Sequence, residues 1–259
     1  MENSAPNKEI NKYMNEETTT PNRRDFLKSA AALAGITVAP GILLYSVSQA
    51  KPAEQAVTSE QRWGMLIDVT QCASGCNECV KACTVEHGLT EEVRPEIAAH
   101  WIRKVDLRDK QTGQEYSLPV LCQHCEHPPC VDVCPTGASF KRADGIVLVD
   151  KHICIGCRYC MMACPYKARS FIHETLANQK PHSPRGKGTV ESCNFCVHRV
   201  DNDKEPACVE ACRQAGHEAM IFGDLNNPYS KISEKLKAVK STALRADMHL
   251  NPGVRYQGL

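Results

Sequence analysis

Two runs of cysteines between residues 122 and 165 place the strongest constraint on how this chain folds. The first run reads C-x-x-C-x-x-x-x-C-x-x-x-C-P and the second reads C-x-x-C-x-x-C-x-x-x-C-P. In each run a fourth cysteine, followed by proline, comes four positions after the third. Proline cannot continue a helix, so it ends the short turn that carries this fourth cysteine away. Each run therefore brings three thiols to one point and sends a fourth elsewhere.

The second run has the spacing of bacterial ferredoxins, in which three thiolates hold one 4Fe-4S cluster and the fourth crosses to a second cluster. This resemblance implies a central module of two clusters that exchange ligands. One cluster would be held by Cys122, Cys125, Cys130 and Cys164. Its neighbour would be held by Cys154, Cys157, Cys160 and Cys134.

Two other uses of cysteine compete with this interpretation. Structural zinc is one, because C-x-x-C pairs also form tetrahedral zinc sites. Zinc sites pair cysteines two and two, however, and do not need a triple followed by C-P. Disulfides are the other, because cysteines in oxidising compartments usually pair. Sixteen cysteines in four groups of four fit cubane clusters better than either alternative.

Two outer cysteine groups flank the central module. The first group is one residue longer than the standard loop at its first step, where Gly75 can relax the backbone. The last group has eleven residues between its middle cysteines. Symmetry pairs them, with one cluster on Cys72, Cys76, Cys79 and Cys212 and the other on Cys193, Cys196, Cys208 and Cys83. The long insert makes the cluster that uses Cys208 the one expected to be absent or altered, so four clusters are expected and three are possible.

Residues 1–50 are interpreted as a twin-arginine signal peptide. Arg23 and Arg24 lie in a segment similar to S-R-R-x-F-L-K, and the apolar run 29–47 follows. A small-x-small sequence ending at Ala50 predicts cleavage there. A retained membrane anchor is the alternative, because the run is almost long enough to span a bilayer. The twin-arginine translocase moves folded proteins, which suits a protein loaded with clusters before it reaches the periplasm.

The rest of the sequence predicts an α+β fold in which short hairpins and short helices wrap around the clusters. Strands are predicted at 63–68 and 147–150, each followed by a cysteine loop, which indicates an internal repeat. Hairpins are predicted at 100–121 and 138–149, a closing strand at 219–222, and a helix from a Ser230 cap to about Lys240. The domain boundaries follow as a linker at 51–61, tandem ferredoxin-like modules at 62–240 and a C-terminal tail at 241–259, which is expected on the surface of a partner or of the protein itself.

Composition limits the function classes. The formal net charge of +1 gives no electrostatic argument for nucleic acid. Aromatic residues make up 5% of the chain and the mean hydropathy is -0.38, so the apolar core is expected to be thin. Metal ligation should therefore contribute much of the folding free energy.

The region 62–240 resembles the four-cluster ferredoxin subunits of molybdopterin oxidoreductases and of quinone-linked membrane complexes. The resemblance lies in the order of the four cysteine groups and in C-P-T-G-A at 134–138, C-I-G-C-R-Y-C at 154–160 and F-G-D-L at 222–225. The export signal, the expanded first group and R-W-G-M-L-I-D at 62–68 are most similar to DsrO and HmeA, the periplasmic subunits of the DsrMKJOP type of complex in dissimilatory sulfur metabolism. Exported subunits of nitrite, polysulfide or molybdopterin enzymes are the alternative.

This resemblance implies that the chain transfers single electrons along a row of four clusters. Its partners would be a periplasmic multihaem cytochrome c and an NrfD-type integral membrane subunit that handles quinone. No small-molecule substrate is expected, because a cluster with four cysteine ligands has no open position. An iron–sulfur enzyme acting alone is the remaining hypothesis. Arg158, Lys167 and Arg169 flank the central groups, where they would either raise the cluster potentials or be solvated.

Overall fold

The computed structural model describes residues 57–72, 74–89, 95–177 and 179–259. The predicted signal peptide, including Arg23, Arg24 and Ala50, lies outside these residues, as does the start of the predicted linker. Among the helices that are described, none has the length and apolar character needed to cross a bilayer.

Ten short strands and six short helices make up the regular structure of the described residues. The strands are β1 (Trp63–Asp68), β2 (Ile102–Arg108), β3 (Glu115–Leu121), β4 (Ser139–Lys141), β5 (Val147–Val149), β6 (Ser170–Phe171), β7 (Val190–Glu191), β8 (Met220–Asp224), β9 (Ser241–Thr242) and β10 (Val254–Gln257). The helices are α1 (Glu78–His87), α2 (Pro129–Asp132), α3 (Tyr159–Ala163), α4 (Val197–Val200), α5 (Ala207–Gln214) and α6 (Lys231–Ala238), with 3₁₀ turns at Pro95–Ile97 and Ala246–Met248.

A four-stranded sheet joins the beginning and the end of the described chain, with strand order β8-β1-β10-β9. β1 pairs antiparallel with β8 and parallel with β10, so that Met65 lies opposite both Phe222 and Val254. This differs from the predicted surface tail at 241–259, because β10 lies inside the sheet and its Tyr256 is completely buried. A segment of four residues is too short to reveal its burial by periodicity.

The predicted hairpins and the capped helix are confirmed. β2 pairs with β3, and β4 pairs with β5 across a turn that contains Gly145. The Ser230 side chain accepts a hydrogen bond from the Ser233 backbone N–H at 3.2 Å, as expected of an N-cap. The helix ends at Ala238, two residues before the predicted end.

The buried cysteines pack within the apolar core. The main core contains Met65, Ile67, Trp101 and Tyr256, and buried cysteines from all four groups pack in the same cluster of side chains. A smaller cluster holds Cys130 and Cys160 with Val147 and Val190. The core is therefore organised around the thiols, in agreement with the small number of aromatic residues in the sequence.

Candidate metal centres

All four cysteine groups share one backbone feature. The residue before the second cysteine has a positive φ in every group: 78° at Gly75, 42° at His124, 68° at Gly156 and 53° at Phe195. This left-handed conformation is unfavourable for residues that carry a Cβ, so it persists only where the surrounding structure requires it. The effect of this conformation is visible in two groups. The backbone N–H groups of His124 and Phe195 lower the pKa values of Cys122 and Cys193, although burial raises the same pKa values by more. The loops are therefore shaped to wrap around an anionic sulfur core.

Short helices lie between the last two cysteines of each group. Cys79 and Cys83 lie on α1, and Cys208 and Cys212 lie on α5. Cysteines four residues apart lie on the same helix face, about 6 Å apart along the axis. α1 packs against α5, and α2 packs against α3 in the central module. α1 and α5 are therefore each placed to supply thiols to two neighbouring centres.

The outer cysteines assemble into two sets. Set A consists of Cys72, Cys76, Cys79 and Cys212. Burial, followed by the neighbouring thiols of Cys72, Cys212 and Cys76, raises the pKa of Cys79 to about 12, although Lys104 opposes the shift. Set B consists of Cys83, Cys193, Cys196 and Cys208. Burial and the thiols of Cys208 and Cys196 raise the pKa of Cys83 well above its usual value.

The central cysteines assemble into two further sets, each lining its own cavity. Set C consists of Cys122, Cys125, Cys130 and Cys164. Set D consists of Cys134, Cys154, Cys157 and Cys160. Burial and the thiols of Cys130 and Cys164 raise the pKa of Cys125 to about 12. The four sets are those that the ferredoxin spacing and the symmetry argument predict; ligation by these thiols stays a prediction.

The long insert does not displace Cys208. Most of it is taken up by α4 and by the turn that leads into α5, and Cys208 is the second residue of that helix. The thiols of Cys196 and Cys193 lie close enough to raise its pKa well above the usual value, after the larger effect of burial. The positions of these thiols give no reason to single out this set as the altered one.

The sets follow one another in a defined order. Cys79 of set A and Cys83 of set B are neighbours on α1, and the charge of the Cys79 thiolate adds to the rise in the pKa of Cys83. Cys193 of set B is near Cys122 of set C, and Cys130 of set C is near Cys160 of set D. The order is therefore A, B, C and D.

Burial changes along this order. Every cysteine of sets B and C is buried. Set A has two half-buried cysteines, Cys72 and Cys76, and set D has an exposed one, Cys157. All sixteen cysteines are free thiols, so the donor set fits four cubane clusters and offers no support for the disulfide alternative.

Sequence reasoning missed the contact of a buried histidine with a thiol. The buried His87 places Nε2 3.2 Å from Cys196 Sγ and Nδ1 3.0 Å from Ser183 Oγ, and its ring packs on Trp101. Burial lowers the pKa of His87 to about 3, so the ring is neutral at pH 7. The available signal was its position one helical turn after Cys83, which continues the face that carries the thiols.

A second polar group lies beside set B. Glu86 accepts hydrogen bonds from His198 Nε2 at 2.7 Å and from Arg199 Nη1 at 3.2 Å, and the rings of His198 and His182 stack at 4.1 Å. Glu86, His182 and His198 are close enough for one metal ion, but both carboxylate oxygens already accept hydrogen bonds. The group is better explained as a link between α1 and α4.

This chain is similar in sequence to known iron–sulfur proteins. Residues 71–138 and 114–225 match two models of the 4Fe-4S dicluster domain. The chain is 41% identical to the Hdr-like menaquinol oxidoreductase iron–sulfur subunit 1 of Archaeoglobus fulgidus, over 92% of this chain and 97% of that protein. It is 36% identical to the B subunit of tetrathionate reductase from Salmonella typhimurium, over 92% and 88%, and 36% identical to protein NrfC of Escherichia coli, over 84% and 86%. With two dicluster domains and many buried cysteines, the chain binds multiple 4Fe-4S clusters.

Proposed function

Because the chain belongs to the iron–sulfur subunit family of these three relatives, we propose that it carries single electrons through four 4Fe-4S clusters within a membrane-associated oxidoreductase complex. The observation that carries this proposal is the order of the thiol sets together with their burial. Two buried sets lie between two partly exposed sets, so the two middle clusters would be shielded from solvent and the two end clusters would be accessible to redox partners.

Each thiol set would hold one cluster, which supplies one-electron chemistry when bound. All sixteen cysteines are used in this assignment, so no iron is left without a protein ligand. The chain would therefore transfer electrons without binding a substrate, and catalysis would belong to other subunits.

The two ends of the path differ in surface chemistry. Around set D, the side chains of Ile155, Tyr159 and Met162 are 67%, 57% and 74% exposed. An apolar surface of this kind is typical of a stable protein contact. On α1, which carries Cys79 of set A, Lys81 pairs at the surface with Glu78 at 2.9 Å. We propose that the set D end contacts the integral membrane subunit and that the set A end meets a soluble redox partner.

The finer assignment follows the sequence resemblance. The chain would be exported folded by the twin-arginine translocase, using Arg23 and Arg24, and cleaved after Ala50. In the periplasm it would link a multihaem cytochrome c to an NrfD-type membrane subunit, as a DsrO-type subunit of sulfur metabolism. The similarity to a menaquinol oxidoreductase subunit supports a quinone-linked complex. The similarity to NrfC and to the tetrathionate reductase protein keeps another exported oxidoreductase as the second candidate.

Iron and acid-labile sulfide per chain test the cluster assignment. Anaerobically purified protein should contain about sixteen of each, on the rule of four cysteines per 4Fe-4S cluster. EPR spectra during graded reduction should show magnetic coupling between neighbouring clusters. About twelve irons would mean that one set is not loaded, and zinc in place of iron would overturn the assignment.

Copurification tests which end of the row of clusters contacts the membrane subunit. Met162→Glu places a charge on the apolar surface beside set D and should reduce recovery of the membrane subunit when the complex is purified from its native membranes. Val85→Glu is the matched control, because Val85 is 70% exposed on α1. Equal recovery with both variants would contradict a membrane contact at set D, and the identity of the copurified subunits would separate the sulfur-metabolism complex from the second candidate.

A further inference from the structure

Arg169 lies between the two central thiol sets. It is 5% exposed, whereas the two other basic residues that the sequence places beside these sets, Arg158 and Lys167, lie at the surface. The guanidinium of Arg158 stacks on the ring of Phe171 at 3.8 Å. The sequence alone does not distinguish these three residues, but the structure selects Arg169.

The guanidinium of Arg169 interacts with thiols of both sets. Its Nη2 donates to Cys130 Sγ of set C at 3.1 Å and to Ser139 Oγ at 2.8 Å. The guanidinium also lies close enough to Cys160 of set D for its charge to act on that thiolate. The Cys122 thiolate lies close enough to act on the guanidinium as well. One side chain therefore serves two centres.

No carboxylate among the described residues forms an ion pair with Arg169, and its Nε and Nη1 lack a hydrogen-bond partner at normal bonding geometry. A buried cation without a counterion is strongly disfavoured. Two neighbouring anionic clusters would supply the missing negative charge. The surroundings of Arg169, which are rich in thiols, are thus explained if both central sets are loaded.

Positive charge and hydrogen bonds at cluster sulfurs favour the reduced state, which carries the additional electron. In a buried site this interaction is little screened by water. We propose that Arg169 is a shared tuning residue, whose single guanidinium raises the reduction potentials of the clusters in sets C and D together. This inference rests on the proposed ligand sets.

The outer sets provide an internal comparison. The corresponding polar contact at set B comes from the ring of His87, which reaches Cys196 alone. Among the described residues, a cation acts on a thiol of each outer set, Lys104 on Cys79 and Arg199 on Cys196, but both cations are only half-buried. Removal of the Arg169 charge should act on two of the four clusters and leave the outer two unchanged.

Potentiometric EPR titration of the purified four-cluster protein tests the proposal. The signals of sets D and C are first assigned with Cys157→Ser and Cys125→Ser. In Arg169→Gln, the equilibrium constant for reduction should fall about tenfold at both central clusters, a shift of about 59 mV for a one-electron couple. Arg169→Lys keeps the charge and should show a smaller shift. Ser139→Ala removes only the hydroxyl that holds Nη2 and should leave both potentials close to their original values.

Unchanged potentials of the two central clusters would overturn the proposal, and so would a shift at only one of them. An equal shift at all four clusters would also overturn it, because it would indicate a general structural change. If Arg169→Gln does not retain its clusters, Arg169→Lys decides, because loss of clusters in both variants would show a structural requirement for the guanidinium rather than tuning by charge. Iron content of the unmodified protein is measured separately, so failure of the four-cluster assignment is recognised independently.

Discussion

At the residue scale, Gly156 is the described glycine at which an added Cβ would make the shortest contact. Its φ is 68°, and a Cβ at this position would overlap the Gly188 carbonyl oxygen. Gly156→Ala should therefore displace the loop between Cys154 and Cys157 and remove the cluster of set D. Iron per chain should fall from about sixteen to about twelve, on four irons per cluster.

Gly137→Ala is the matched control for this prediction. Gly137 also has a positive φ, 69°, and also lies near a cysteine of set D, but no atom lies within 4 Å of a Cβ placed there. It should add only the backbone cost of a left-handed alanine, about 1–2 kcal/mol, and retain the cluster. Equal loss of iron in both variants would show that backbone strain alone, without the clash, explains the effect.

The crossed ligation also makes a prediction at single residues. Cys134→Ser should damage the set D cluster, whose other thiols lie on the second cysteine run, and leave the set C cluster in place. The EPR signal assigned to set D should disappear or change while that of set C persists. Loss of the set C signal instead would mean that Cys134 serves its own run and that the ligands are not exchanged.

Residue types explain which site features the sequence revealed. Cysteine spacing is a direct signal, so all sixteen thiols and their grouping were predicted. The left-handed positions at Gly75 and Gly156 are consistent with glycine, whereas those at His124 and Phe195 give no signal, because these residues rarely adopt this conformation. The position of His87 one helical turn after Cys83 was an available signal that was not used, whereas the contact of Arg169 with Cys130 depends on tertiary packing and leaves no local pattern.

At the element scale, β10 secures the loop that begins set C. Tyr256 in this strand donates its hydroxyl hydrogen to the Pro119 carbonyl at 3.0 Å and accepts from Gln123 Nε2 at 3.1 Å. Gln123 follows Cys122 directly, so the last described strand supports the first thiol of the central module. The prediction of a surface tail missed this connection because pairing between distant strands leaves no local sequence pattern.

Tyr256→Phe should destabilise the protein by about 1–3 kcal/mol, because it removes the hydroxyl that donates to the buried Pro119 carbonyl and accepts from Gln123 Nε2, which keeps only its bond to the Leu121 carbonyl. The midpoint temperature of cluster loss, followed by visible absorbance under anaerobic conditions, should fall. Tyr229→Phe is the control, since Tyr229 is 85% exposed and substitutions at such positions cost little stability. Equal midpoints for the two variants would contradict the supporting role of β10.

At the scale of the whole molecule, the thiols are part of the core, so metal and fold should be lost together. Removal of the clusters by a chelator and an oxidant should leave buried cysteines without their bridging metal, and the small apolar core should not hold the chain alone. Near-ultraviolet circular dichroism should lose its native features, and anaerobic reconstitution with iron and sulfide should restore them. Native dichroism in the metal-free chain would refute this dependence.

The helices that carry two thiols each have a consequence for how the protein is made. α1 offers Cys79 to set A and Cys83 to set B, and α5 offers Cys208 to set B and Cys212 to set A. Filling either set fixes both helices and so brings the remaining ligands of the other set into position. The clusters of sets A and B should therefore be inserted as a pair, so that a maturation intermediate that holds one of these two clusters without the other should not accumulate.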